Sequence, residues 1–310
     1  MKETVAIYHW WPLPKDPNPY QNLRAPILLS IASLRSVSDV KIIVLQNENN
    51  KDWGKFPNLL NFEIVENKFY LEKYADKIKG YRHLSRIYDL NSWGLKNYPQ
   101  SDIVYVDSDV FFFKDPFPLE CATDRFCWDG WNTGFFYYNQ SNMKEFMEVF
   151  DCYIKSCMFS EEIKTNIKKY VGYDAWYDIW DEMILSFMKK ENPDLFHEIP
   201  SEEHATVRNL QYVEKEKAKI FHANGTIVSN PFNEDPYHRG LLCLLVKEFR
   251  EKIEKVIDIK EVFEEKYIEW SNDKIFSILD NSMSLEMSKD HSKHYDINLF
   301  LSFVYGRKFI

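Results

Sequence analysis

The 310-residue chain has no Cys-x-x-Cys pair, and its cysteines are odd in number: Cys121, Cys127, Cys152, Cys157 and Cys243. That argues against a zinc module or a secreted disulfide framework and fits reduced thiols in a cytosol. Glycine is scarce, at 9 residues, which excludes collagen-like and linker-rich chains. No apolar run approaches the roughly 20 residues of a membrane span; the longest candidate, 241–246, falls far short. The opening Met1-Lys2-Glu3-Thr4 leads into a short apolar run, so no signal peptide is expected. A basic excess is missing too. With 39 Lys and Arg against 48 Asp and Glu, the net charge is −9, and nucleic acid is not the expected partner. Neither an internal repeat nor a low-complexity tract is present.

What is present is globular. Hydrophobic residues make up 45% and charged residues 28%, and the length allows one large domain or a domain with an extension. Aromatic residues reach 16%, which favours a heavily packed core, a ring-lined cleft, or both.

The apolar pattern alternates strand with helix. Residues 4–10 (TVAIYHW) read as a first strand, 25–36 as a helix with Pro26 in its first turn, and 40–46 (VKIIVLQ) as a strand covered on both faces. A weaker strand at 62–65, a helix best seen at 81–95 and a short buried strand at 103–106 follow. This order predicts an α/β layered fold with a mainly parallel sheet. Residues 127–139 (CWDGWNTGFFYYN) read as a glycine-punctuated loop feeding a strand, and 143–158 and 178–190 as helices. A short strand at 220–222 enters a turn at Asn224-Gly225. Helical, charge-laced stretches follow at 241–256 and 262–279. A boundary near 231–236 divides the chain into a main domain, 1–232, and a C-terminal helical extension, 233–310, expected to pack on it.

The sharpest local feature is Ile103-Val104-Tyr105-Val106-Asp107-Ser108-Asp109-Val110. An apolar strand ends in two carboxylates, where the side chains of a parallel sheet meet the ligand crevice. Two carboxylates so close repel each other unless a cation is near, and hard divalent ions take such ligands. A solvated turn after an edge strand would read the same way. Tyr8, His9 and Trp10 end the first strand, where they either meet a ligand or, for the rings of Tyr8 and Trp10, are buried in the core. Trp128 and Trp131 flank the glycine-containing loop, where ligand binding is preferred to burial in the core.

The run 81–119 (YRHLSRIYDLNSWGLKNYPQSDIVYVDSDVFFFKDPFPL) resembles the donor-binding core of the metal-dependent GT-A glycosyltransferases, particularly the family 8 type. Three later stretches are similar to elements of the same family and stand in the same order. They are Trp131-Asn132-Thr133-Gly134-Phe135, then 177–185 (YDIWDEMIL), then Phe221-His222-Ala223-Asn224-Gly225. The resemblance spans about residues 4–230 and implies a Rossmann-like mixed sheet flanked by helices. It implies Asp107, Asp109 and His222 as ligands of manganese or magnesium. Ser108, Asn132, Gly134 and Gly225 would then lie on the donor, with Arg86 beside its diphosphate, Asp181 on the transferred sugar, Tyr8, His9 and Trp10 at the base and ribose, and Trp128 and Trp131 packed on a sugar face.

The activity so implied is transfer of a sugar from a nucleotide diphosphate donor, a UDP-sugar, to an acceptor hydroxyl with retained configuration. The acceptor would be a glycan, glycoprotein or glycolipid, and the location cytoplasmic. Two departures from the pattern stand out. Glu182 occupies a position where Gln is usual, and no Lys-Pro-Trp follows the His element, which leaves Lys219 as a candidate phosphate partner. Two other functions compete. A magnesium-dependent phosphohydrolase of the haloacid dehalogenase type also sets Asp-x-Asp after an apolar strand, but on its first strand. A non-catalytic nucleotide-sugar or carbohydrate-binding protein on the same fold would share most of these residues.

Overall fold

The computed structural model describes residues 3–10, 25–47, 53–71, 81–117, 125–130, 132–139, 143–172, 179–200, 202–206, 213–214, 216–222 and 247–262. The expected α/β sheet is present. Its strands are β1 (Thr4–Trp10), β2 (Lys41–Gln46), β3 (Phe62–Glu66), β4 (Asp102–Val106), β6 (Phe126–Trp128), β7 (Phe135–Asn139) and β8 (Phe196–Glu198), in the order β3-β2-β1-β4-β7-β6-β8. The first four run parallel, while β7 is antiparallel to β4 and to β6. A second sheet joins β5 (Val110–Phe112), β10 (Ile220–His222) and β9 (His204–Thr206), in the order β5-β10-β9.

The chain winds outward from β1 through β2 to β3, then returns to β4 on the other side of β1. That reversal opens a crevice at the carboxyl ends of β1 and β4, where open α/β sheets bind ligands. In register, Tyr8 stands opposite Val106, so Asp107 emerges beside the end of β1.

The sheet is buried on both faces, which explains its continuous apolar strands. From β1, Val5 and Ile7 enter one core, and Ala6, Tyr8 and Trp10 the other. The first core lies under α3 (Tyr81–Asn97), α4 (Met143–Phe159) and α6 (Asp181–Glu191). Leu84, Ile87 and Leu90 of α3 repeat at helical spacing, as do Met143, Phe146, Met147, Phe150 and Ile154 of α4. Each such side chain contributes about 1.5–3 kcal/mol on burial.

The second core surrounds α1 (Ala25–Arg35), whose residues 27–34 are all buried. A helix apolar on every side needs cover on every side. The sheet supplies one wall, and β5 with α7 (Lys247–Glu254) and α8 (Ile259–Val262) supplies others. Ile253, Ile257 and Val262 join this core, and Lys252 Nζ donates to Phe113 O at 2.5 Å. Of the helix expected at 241–256 the part 241–246 lies outside the described residues, as does the helix expected at 262–279 beyond Val262; the described helices α7 and α8 pack on this core.

Two short helices were not expected: α2 (Phe56–Leu60) and α5 (Glu161–Val171). Their ends are written locally. Ser160 Oγ caps α5 by accepting from Ile163 N, and Gly172 closes it in the left-handed region at φ 72°.

Serines of α1 finish β5. Ser33 Oγ accepts from Phe112 N at 2.7 Å, and Ser30 Oγ donates to Val110 O at 2.5 Å. A helix thus satisfies backbone groups that β10 does not reach on this short strand. Ser33→Ala leaves the buried Phe112 N–H without its acceptor. It is expected to cost about 1–3 kcal/mol in a denaturant melt, whereas a loss under about 0.5 kcal/mol would show that β5 does not rely on α1.

Candidate active site

The site assembles at the carboxyl end of β4. Asp107 follows the strand, Asp109 precedes β5, and antiparallel pairing sets His222 of β10 opposite Val110. His222 Nε2 lies 3.1 Å from Asp109 Oδ1. One ligand atom from each of Asp107, Asp109 and His222 falls within 4.8 Å of the others.

Arg86, in the first turns of α3, ties this cluster to α6. Its Nη1 is 2.7 Å from Asp107 Oδ2, and its Nη2 is 3.3 Å from Asp181 Oδ2 and 2.6 Å from His83 Nδ1. Asp181, whose side chain is 1% exposed, also accepts from Thr133 Oγ1 at 2.7 Å and from Glu182 N at 3.0 Å. Tyr105 donates its hydroxyl to Asp107 Oδ1 at 3.2 Å, and Ser108 N–H reaches the same oxygen at 3.2 Å.

The loop between β6 and β7 forms the neighbouring wall. Gly134 O accepts from Asp107 N at 2.7 Å, while Asn132 Oδ1 accepts from Gly134 N at 2.6 Å. A side chain on Gly134 would fall inside the His222 ring. Glycine is required here by close approach, with no demand for unusual dihedrals.

Electrostatics follow from crowding. Burial works against the charged form of Arg86, yet the Asp181 and Asp107 carboxylates hold its pKa well above the usual value. Burial pushes the Asp107 carboxyl up; Arg86 pulls it back and Asp109 adds to the rise. Burial also disfavours a charged His222, but Asp109 beside the ring raises its pKa overall. The donor set suits a divalent cation. Two carboxylates and one imidazole converge, and the buried Nδ1 of His222 has no hydrogen-bond partner among the described residues.

Of the residues singled out from sequence, Arg86, Asp107, Ser108, Asp109, Asn132, Gly134, Asp181 and His222 come together here. Gly225 and Trp131 lie outside the described residues. His9 remains partly exposed, with its ring edge-on to Phe69 at 4.5 Å.

Four expectations need correction. Tyr8 is fully buried with its hydroxyl 3.0 Å from Ser30 Oγ, so its ring cannot face a base. Trp10 is 2% exposed and packs edge-on against Trp53. Trp128 is a fully buried core ring beside Phe196, so it presents no face to a sugar. Lys219 is paired with Glu203 at 3.0 Å, and strand alternation turns it away from the face that carries His222. Thr133, Tyr105, His83, Asp129 and His204 were not anticipated. Thr133 alone had a local cue, as the middle residue of Asn-x-Gly.

No family model matches the chain, and no curated protein matches it in sequence. Solved structures do. The apo-form glycosyltransferase GlyE of Streptococcus pneumoniae TIGR4 is 14% identical, with a TM-score of 0.51 over 87% of this chain and 64% of that one. The galactosyltransferase LgtC, solved with donor and acceptor sugar analogs, is 11% identical, with a TM-score of 0.50 over 85% of this chain and 98% of that one. The chain thus has the GT-A glycosyltransferase fold and spans 64% of the length of GlyE.

Beside the cluster, burial pushes His204 down from 6.5 to about 4, so it folds as a neutral imidazole. Between those values the unfolded chain binds the extra proton. The contribution of His204 to stability is therefore complete above 6.5 and lost as pH falls toward 4, by about 3 kcal/mol. Urea unfolding of the wild type and His204→Phe, from about pH 7 to about pH 4, is expected to show the variant gaining relative stability on acidification. A constant difference would mean that His204 titrates normally.

Proposed function

We propose that the protein is a cation-dependent glycosyltransferase that moves a sugar from a UDP-sugar to an acceptor hydroxyl with retention of configuration. The observation that carries this reading is the convergence of Asp107, Asp109 and His222 at the end of β4, with the Arg86–Asp181 pair alongside. A divalent cation held by Asp107, Asp109 and His222, manganese by preference or else magnesium, would act as a Lewis acid toward the departing diphosphate.

The chain's own residues do the rest. Arg86 holds positive charge beside the diphosphate and fixes both Asp107 and Asp181. Asp181 is assigned to the transferred sugar by the resemblance; in this structure it is buried against Thr133 and Arg86, so it acts on the site by fixing Arg86. Asn132 and Gly134 would line the sugar side, Ser108 the diphosphate side, and His9 the approach to the base; Gly225, outside the described residues, is assigned to the donor by the resemblance alone. The acceptor is a glycan, glycoprotein or glycolipid. Residues 1–232 form the catalytic domain and 233–310 the extension that packs on it. The cysteine usage supports a cytoplasmic location. No described helix is long and apolar enough to cross a membrane.

The test is nucleotide release from UDP- and GDP-sugars with and without manganese, in the wild type and Asp109→Asn. Manganese-dependent release from a UDP-sugar is expected, lowered in the variant by at least the roughly 10–100-fold that even indirect changes to metal sites cause. Absence of donor binding with or without cation would overturn the assignment. Tight donor binding without any turnover would point to a binding protein on the same fold.

A further inference from the structure

Behind the cluster lies a buried pair that takes no part in the reaction above. Asp129 follows the last residue of β6, and its side chain is 5% exposed. Its Oδ1 accepts from Asn132 N at 2.7 Å, and its Oδ2 lies 3.6 Å from His204 Nδ1. At that separation the second contact is not a hydrogen bond, and with His204 neutral it is not an ion pair, so the ring packs against the carboxylate. His204 is itself fully buried, and its ring lies within 11° of parallel to the His222 ring, centroids 6.2 Å apart. The pairing of β9 with β10 places the two rings side by side, and Phe135 closes on His204 edge-on at 5.6 Å.

These contacts form a chain. Asp129 holds the Asn132 backbone, the Asn132 side chain holds the Gly134 backbone, and Gly134 O holds Asp107 N. The α-carbon of Gly134 also abuts the His222 ring. Two of the three converging ligand groups therefore rest on a loop whose shape is set by a buried carboxylate. Burying that charge is costly unless it is well bonded.

We propose that Asp129, packed against His204, is a positioning residue that holds Gly134, Asp107 and His222 in the geometry needed to bind the cation. This rests on the reading of Asp107, Asp109 and His222 as a cation site. Asp129 is not one of the three converging groups; it acts through the loop.

Manganese affinity, read from the electron paramagnetic resonance signal of free Mn2+ without nucleotide, tests it directly. Four proteins are compared: wild type, Asp109→Asn, Asp129→Ala and Asp129→Asn. Asp129→Ala is expected to weaken binding by about 10-fold or more, as for partners that orient metal ligands. Asp129→Asn keeps an acceptor for Asn132 N and is expected to stay within about 3-fold of the wild type. Melting curves show which variants are folded at the titration temperature. If Asp129→Ala is not, Asn132→Ala breaks the next link and must weaken binding likewise.

Wild-type affinity in Asp129→Ala, with binding lost in Asp109→Asn, overturns the positioning role and leaves the cation site standing. An equal loss in Asp129→Ala and Asp129→Asn overturns the hydrogen-bonded route. No manganese binding by the wild type overturns the cation site and the positioning role together.

Discussion

Asp107 and Asp181 come from elements far apart in the chain and share a single guanidinium, that of Arg86. Nearby, Asp109 is met by His222. Like charges about 4 Å apart at an effective dielectric near 20 repel by about 4 kcal/mol, and a buried charge left alone costs about 3–5 kcal/mol. The three carboxylates can be tolerated here only with compensation. One guanidinium and one imidazole supply part of it. The remaining negative charge is what a divalent cation would balance, and a cation held there would in turn attract an anionic diphosphate.

The fold is arranged to deliver those groups. The reversal of strand order between β1 and β4 opens the crevice, and the start of α3 brings Arg86 to it. His222 arrives on a separate small sheet, beside a strand that begins one residue after Asp109. Because β5 is only three residues long, its position depends on side chains of α1 as much as on β10. The buried helix α1 thus links the first strand, the carboxylate turn and the C-terminal helices in one core. Coupling of that kind makes site geometry and core packing inseparable, since close-packed interiors transmit small displacements.

Much of this was legible in the sequence. The apolar runs of β1, β2 and β4 and the spacing of α3 and α4 fixed the layer type. An Asp-x-Asp at the end of an apolar strand located the crevice. What sequence could not supply was direction. With both sheet faces covered, alternation along β1 does not say which of Tyr8, His9 and Trp10 stays accessible, and only His9 does. Trp128 sits next to a glycine loop, yet the strand buries it before the loop begins. Lys219 is three residues from His222, an odd separation that puts it on the other face. Thr133, Asp129 and His204 matter through partners remote in sequence, so nothing near them announced their roles. The helix α5 was missed because its face is mostly polar, although its caps, Ser160 and Gly172, were in plain view.

The central claim is that Asp107, Asp109 and His222 bind one divalent cation together. Anomalous diffraction from crystals grown with manganese and UDP tests it most directly. The expected result is a single strong manganese peak within direct bonding distance, about 2.0–2.3 Å, of all three side chains. A well-ordered crevice with no peak there, or manganese bound only at other carboxylates, would contradict it.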